Sequence, residues 1–468
     1  MNTPMTIQTA AEALRAGDIT SVELTQRLLA RIEELNPTLG AFLHVATDNA
    51  IAEATAADAM FAAGIDRGPL QGIPYGVKDI IATQNAPTTA NSLVLDRAWG
   101  AGYDATVIRR LRAAGAVMLG KTVLNEFAYG APDPDKPFPM PQNPWDLPRT
   151  AAGSSSGSGI AVAAGLALGA LGTDTGASTR GPAAVSGLTG MKQTYGRVPK
   201  WGCVPLGYSL DGINPMARSA YDCALMLNVI AGHDPKDPTT LPVPVPDYTA
   251  TLDGSVAGMT IGVPYTYFFD APQLNPEMRE AVLQAVEVLK DLGATVKEVV
   301  VPHAAEAKDA NTIIIAGEGF AYHQPDMSTR FADYGKYTWE VIARGLLLNA
   351  SDYVQAQRFR TYFRAAIAEL FEDIDVLITP TQLGPAALRS EMNATAQLTN
   401  PGFTGQWNLA GIPAMAVPVG FSSNGLPLSM QIVSAAFDEA AAFRVGDAYQ
   451  RATDWHLRVP THARGVAV

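Results

Sequence analysis

The sequence predicts an α/β fold with a mixed, largely buried sheet, and three observations predict it. From about residue 70 onward, short β-like runs alternate with helical ones. Several of those runs, such as "MTIGVP" and "IDVLITPT", are almost continuously apolar, as strands of a buried sheet are. Hydrophobic residues make up 47% of the 468-residue chain against 17% charged, which is ample for a large core and excludes disorder as the default state.

The amino-terminal region, about residues 1–65, reads as helical. Thr20 stands three residues before Glu23, a capping-box spacing, and Leu24, Leu28, Ile32 and Leu35 then fall on one face. Asn36-Pro37 is expected to end that helix, and helical composition resumes through "ATDNAIAEATAADAMFAAG". Next, "IPYGVKDII" and "AVMLGKT" read as strands around the helix "DATVIRRLRAAG". Further on come the strand "MTIGVP", a helix over "PEMREAVLQAVEVLKDLG" and the strand "ATVKEVVVP". A helix around "DYVQAQRFRTYFRAAIAELFED" precedes the strand "IDVLITPT". The last element is a hairpin, "AMAVPVGFSSNGLPLSMQIVS", turning at Ser423-Asn424-Gly425. The stretch "HDPKDPTTLPVPVPDY" (233–248), with five prolines, is the best candidate for a boundary, yet it serves equally as a surface connection within one large unit.

Composition narrows the function classes. The net charge is −12 and no basic cluster is present, so the electrostatic footprint of a nucleic-acid binder is absent. The two cysteines, Cys203 and Cys223, have no metal-ligand spacing and form no disulfide framework; neither a metal nor a cofactor is expected. The start "MNTPMTIQTAAEALRAGD" lacks a basic segment followed by an apolar run, and the longest apolar run, 159–173, is too short and too glycine-rich to span a bilayer. The expectation is a cytoplasmic protein, monomer or homodimer, acting on a small molecule.

"AGSSSGSG" (152–159) holds four serines and three glycines in eight residues, the composition of a flexible linker. It adjoins "IAVAAGLALGALGTDTGASTRGPAAVSGLTG", one of the most apolar stretches of the chain. Two short matches are misleading. "GAVMLGKT" (115–122) fits the phosphate-loop pattern letter for letter, but the residues between its glycines are those of a strand interior. "GSSSG" (153–157) fits the nucleophile elbow centred on Ser155, which needs a downstream histidine. The six histidines, His44, His233, His303, His323, His456 and His462, sit in no motif and read as structural or surface residues.

A serine hydrolase without histidine needs another base, and lysine serves when burial lowers its pKa. Lys78, nearly alone as a charge in "GIPYGVKDII", fits; an ordinary ion pair with Asp79 explains it as well on local grounds. Four motifs in order, "GIPYGVKDI", "AAGSSSGSGIAVAAG", "LGTDTGASTRGPAAVSGLTGMKQTYGRV" and "SLDGINPMARSAYDCALMLNVIAG", resemble the amidase signature family of serine hydrolases. The resemblance is dense over about 70–235. It thins toward both ends, through "DIDVLITPT" and "WNLAGIPAMAVPVGFSSNGLPLSMQIV".

The resemblance implies a large mixed, twisted sheet with helices on both faces, in a single domain spanning 1–468, with residues 236–468 completing the sheet and the substrate rim. It implies a catalytic lysine, Lys78, a bridging serine, Ser154, and a nucleophile, Ser178. It further implies a cis peptide bond at Gly153–Ser154, which sets the Ser154 oxygen between the other two, and an oxyanion hole from the N–H groups of Thr175, Gly176, Ala177 and Ser178. Asp174 and Arg180 flank the nucleophile with opposite charge and are read as a pair fixing the loop; Ser155 is a structural hydroxyl. On this reading the serine run is a buried loop whose hydroxyls bond to each other, to Lys78 and to backbone.

The sequence departs from the family pattern at four places: Ala152 and Ser156 replace glycines around the serine run, Ala177 replaces the second glycine of T-G-G-S, and Gln193 replaces a proline. Ala177 needs an unstrained backbone or stores strain. The implied activity is hydrolysis of C–N bonds in amides, with carbamates, ureas and esters also within the family. A runner-up is the A subunit of a tRNA-dependent amidotransferase, which releases ammonia from glutamine. A non-catalytic binding protein on the same fold is disfavoured because all three catalytic positions are intact. Aromatics in the proline-rich 129–145 and in "NPGFTGQWN" (400–408) point to an apolar or aryl substrate.

Overall fold

In the computed structural model, which describes residues 4–392 and 399–463, eleven strands form one mixed sheet. They are β1 (Phe42–Val45), β2 (Pro74–Lys78), β3 (Val117–Thr122), β4 (Gly169–Asp174), β5 (Thr189–Lys192), β6 (Gly212–Ala217), β7 (Thr260–Val263), β8 (Thr295–Glu298), β9 (Val376–Pro380), β10 (Ala414–Phe421) and β11 (Pro427–Ser434). Their order across the sheet is β1-β3-β2-β4-β6-β5-β10-β11-β9-β7-β8. The central strands β2, β3, β4, β5 and β6 are buried at every residue, so both faces are covered, whereas the edge strand β8 is mostly exposed. Strands on either side of the proline-rich 233–248 belong to the same sheet, which gives that stretch the place of a connection.

Amino-terminal helices α1 (Ile7–Ala16), α2 (Ser21–Leu39) and α3 (Thr47–Ala62) lead into and past β1. The expected capping box of α2 is present, with Thr20 and Glu23 bonding reciprocally. The helix does not stop at Asn36-Pro37; it continues to Leu39 and ends at Gly40 in the left-handed conformation. Pro37 lies in the last turn, where its missing N–H costs a single bond, and the Asn36 amide bonds both backbone groups of Phe42. The short strand β1 interrupts this otherwise helical region, against expectation. It pairs antiparallel with β3 at the sheet edge.

Next come α4 (Thr106–Ala113), α5 (Ser156–Ala163), α6 (Arg180–Ser186), α7 (Ala220–Ile230), α8 (Pro276–Asp291), α9 (Ala304–Thr329), α10 (Lys336–Ile342), α11 (Ala350–Leu370), α12 (Gly405–Ala410) and α13 (Glu439–Ala452). The carboxy-terminal hairpin is β10–β11, as the turn at Ser423-Asn424-Gly425 predicts. The false phosphate loop is strand β3, with Lys121 inside it. Among the described residues no helix is long and apolar enough to cross a membrane, and no group of three or more His, Cys, Asp or Glu is placed to hold a metal ion.

Candidate active site

Parallel pairing of β2 with β4 sets the site. The register Tyr75↔Gly169 to Val77↔Leu171 brings the carboxyl ends of both strands together, so Lys78 ends β2 beside Thr173 and Asp174 on β4. In α/β sheets that end of the strands is where ligands bind. Lys78 is fully buried and donates to Ser154 Oγ and Thr173 Oγ1, both at 2.7 Å. The alternative pairing with Asp79 does not occur: Asp79 faces Lys121, 3.1 Å away in another fully buried pair, and accepts from the backbone and hydroxyl of Thr89. Burial drives the Lys78 pKa down to about 7, because an ammonium without solvent is costly; the Asp174 and Asp211 carboxylates oppose this only in part. Thr173, the second acceptor of Lys78, lies in the family-like "LGTDTG" stretch, where the sequence reading gave it no role.

The serine run is a buried turn entering α5, not a linker. The Gly153–Ser154 peptide bond is cis. A Cβ on Gly153 would collide with the Asn125 amide, which explains glycine there. Ser155 Oγ bridges both backbone groups of Thr173, accepting from its N–H at 3.1 Å and donating to its carbonyl at 3.3 Å. Ser158 Oγ bonds the Leu171 carbonyl and the Thr122 hydroxyl. The hydroxyls therefore do not bond to one another as expected; they stitch the turn to β3, β4 and Lys78, while Ser156 Oγ has no partner among the described residues. Ser155→Ala should cost about 0.5–3 kcal/mol of stability through the lost bridge. Denaturant unfolding reads that loss, and a graded fall in turnover, not its abolition, should accompany it.

Residues 175–179 form the loop between β4 and α6. Ser178 is half-buried, and Ser155 N–H donates to its carbonyl at 3.2 Å, which holds the two serine segments side by side. Ser178 Oγ makes no hydrogen bond among the described residues. Ala152, Gly153, Gly176, Ala177, Ser178 and Gly181 are the half-buried residues of otherwise buried segments. A Cβ on Gly181 would touch Ala152, Ala177 and the Gly153 carbonyl, each at 3.9 Å, so the serine turn and the loop after β4 lie against each other here. Ala177 has no positive φ, the unstrained of the two alternatives; the left-handed conformation falls on Ala152, at φ 53°. A non-glycine residue in that region costs about 1–2 kcal/mol. Ala152→Gly should then raise unfolding stability by about 1 kcal/mol, less the added chain entropy, and the denaturant midpoint measures it.

Beneath the loop, Asp174 and Arg180 form a fully buried ion pair with two contacts of 3.0 Å. Burial alone would raise the Asp174 carboxyl, but the charge and bonds of Arg180 and the Asn408 amide hold it below its ordinary value. Arg180 also donates to Gln431 Oε1 at 2.6 Å, Asn408 Oδ1 at 2.5 Å and the Thr404 carbonyl at 3.1 Å. The carboxy-terminal segment thus clamps the loop through residues of its family-like stretch to which the sequence reading gave no role.

Other expected features fall elsewhere. His323 is buried against Tyr334, with burial lowering its pKa to about 4, and His456 is likewise buried. No described histidine bonds to Ser154, Ser155 or Ser178. Both cysteines are free. Of the aromatics expected at the substrate rim, Phe403 and Trp407 meet Phe268 and Tyr129 is buried, while Phe138 and Trp145 are half-buried, Trp145 donating to the Ser186 carbonyl.

Likeness to known proteins agrees with this architecture. A family model described as Amidase matches residues 23–443. The A subunit of glutamyl-tRNA(Gln) amidotransferase from Roseiflexus sp. (strain RS-1) is 44% identical over 97% of this chain and 98% of its own length. Its counterpart from Chromohalobacter salexigens is 41% identical over 99% of both. Among solved structures, the chain matches one described as a vestigial protein complex that reveals the origins of an s-triazine catabolic enzyme. Its TM-score is 0.90, with 32% identity over 96% of this chain and 98% of that one. Native peptide amidase from Stenotrophomonas maltophilia matches with a TM-score of 0.84 and 30% identity, over 98% of this chain and 99% of the other. Motifs, sheet and full-length likeness converge: this chain belongs to the amidase signature family, whose enzymes act on C–N bonds.

Proposed function

We propose that this chain hydrolyses carboxamides through an acyl-enzyme, with Ser178 as nucleophile, Ser154 as proton shuttle and neutral Lys78 as base. One observation carries the reading. Of the other buried lysines, Lys121 faces the Asp79 carboxylate and Lys192 donates to the backbone carbonyls of Gln193 and Ile412, neither reaching a serine. Lys78, equally buried, instead donates to two hydroxyls and is able to give up its proton near neutrality. Ser178 Oγ bonds to the carbonyl carbon while its proton passes to Ser154, whose own proton passes to Lys78. The C–N bond breaks as the proton returns through Ser154 to the leaving nitrogen. Water then repeats the sequence on the acyl-enzyme, releasing the carboxylic acid and restoring neutral Lys78. The shared sheet supports a single-domain organisation for this enzyme.

For the identity of the amide, the relatives weigh more than the motifs. Identities of 39–44% to amidotransferase A subunits, over nearly whole chains, support that reading more strongly than the free-standing amidase the sequence put first. On it, the amide is the side chain of glutamine and the ammonia goes to a partner protein. The free-standing reading keeps one specific support, the likeness to a peptide amidase. The deciding experiment measures ammonia release from glutamine by the chain alone and with whatever proteins co-purify, beside a panel of peptide amides, anilides, carbamates and esters. Glutamine cleavage stimulated by co-purifying proteins supports the first reading. Turnover of other amides by the chain alone, with glutamine untouched, overturns it.

A further inference from the structure

The planar trans peptide fixes one relation: the C=O of one residue and the N–H of the next point in opposite directions. A loop whose carbonyls are tied down therefore has its amides aimed. In the loop after β4, three successive carbonyls are tied. Thr175 O accepts from the Asn311 side-chain amide at 3.3 Å, Gly176 O from Arg180 Nη2 at 3.3 Å, and Ala177 O from Gly181 N at 2.7 Å. The three N–H groups they aim, those of Gly176, Ala177 and Ser178, have no hydrogen-bond partner among the described residues, and all three residues are half-buried. The Arg180 and Gly181 ties come from the loop's own helix. The Asn311 tie comes from α9, a separate element 136 residues away in sequence.

Asn311 is placed there by its neighbours. It is 4% exposed, and it fits because glycines flank it: a Cβ on Gly405 would lie 3.0 Å from Asn311 Oδ1, and one on Gly176 would lie 3.2 Å away. One helical turn on, the Tyr129 hydroxyl donates to the Ile315 carbonyl and fills the space left by Gly319, which seats α9 on the site. We propose that Asn311 is a positioning residue of this enzyme: its amide pins the Thr175 carbonyl and so aims the Gly176 N–H at the oxygen of the carbonyl under attack. Without the pin, the Thr175–Gly176 peptide is free to turn, and that oxygen loses a preset donor. The inference rests on the reading of Ser178 as nucleophile.

The test uses a fluorophosphonate and its P=S counterpart on the intact protein, following the rate of covalent labelling and locating the adduct by mass spectrometry. Oxyanion donors favour developing charge on oxygen over the larger, more polarisable sulfur. Losing a full donor costs about 10²–10³-fold, so Asn311→Leu should slow P=O labelling by at least about tenfold and lower the P=O to P=S rate ratio by a similar factor. Thermal unfolding checks that the variant is folded; if the leucine form is not, the near-isosteric Asn311→Asp, whose carboxylate cannot donate, replaces it. Thr312→Val, on the same helix, should leave the ratio unchanged. Equal slowing of both probes, or no slowing, overturns the role of Asn311. An adduct outside Ser178 in the parent protein overturns the nucleophile assignment instead, so the two failures are distinct.

Discussion

Ser178→Ala should leave a folded protein whose turnover is reduced by about 10³–10⁶-fold, the range that loss of a serine nucleophile gives in a concerted catalytic unit. The size follows from its place in the proposed reaction: if Ser178 forms the covalent intermediate, the remaining residues can only polarise the carbonyl for direct attack by water. The fold should survive because the Ser178 hydroxyl bonds to nothing among the described residues, and its backbone contact with Ser155 is kept by alanine. Steady-state kinetics beside a thermal unfolding curve checks both halves. Turnover within tenfold of the parent would remove Ser178 from the mechanism and return attention to Ser155, the centre of the elbow-like "GSSSG". Loss of turnover together with loss of folding would mean that the hydroxyl has a structural role that these contacts do not contain.

The proposed reacting groups, Lys78, Ser154 and Ser178, were named through the family resemblance because each lies in a short contiguous motif. The sheet supplies what no motif holds, the parallel β2–β4 pairing that sets the ends of their segments side by side. Support for the site was much less legible. Asn408 and Gln431 reach Arg180 from 228 and 251 residues away, as single amides in apolar surroundings with no spacing to mark them. Helix α9 left no periodic signal either. Its buried residues are mostly small or polar, Ala304, Ala307, Asn311, Gly319 and His323 among them, with Ile314 the one large aliphatic, and Gly317, Gly319 and Pro325 all depress helix propensity. Small residues are what allow α9 to lie close to the loop, so the feature that hid the helix from the sequence is also what positions Asn311. Two of the aromatics expected at the rim turn inward for the converse reason. Phe403 and Trp407 are spaced four apart on either side of the start of α12, which turns both rings toward Phe268 and the core.

Lys78→Ala should cost nearly as much as loss of the nucleophile, and the pH profile says why. A protonated lysine has no lone pair to take the proton arriving through Ser154, so only the neutral form is active. With a pKa of about 7, kcat/KM should rise with pH, tenfold per unit below that value, and level off above it. The direction is fixed by charge: burial disfavours the ammonium and pulls the limb down from about 10.4, the value of a solvated lysine. In Lys78→Ala the limb should vanish along with most of the rate. Ser154→Ala should approach the same loss, since Lys78 then has no hydroxyl between it and Ser178, and Thr173 alone retains its amine. Because the groups act as one unit, Lys78→Ala/Ser154→Ala should be scarcely slower than either single variant. Additive losses in the double variant would show that the two residues serve separate steps. A surviving acidic limb in the residual activity of Lys78→Ala would assign the titration to another group and end the case for lysine as the base.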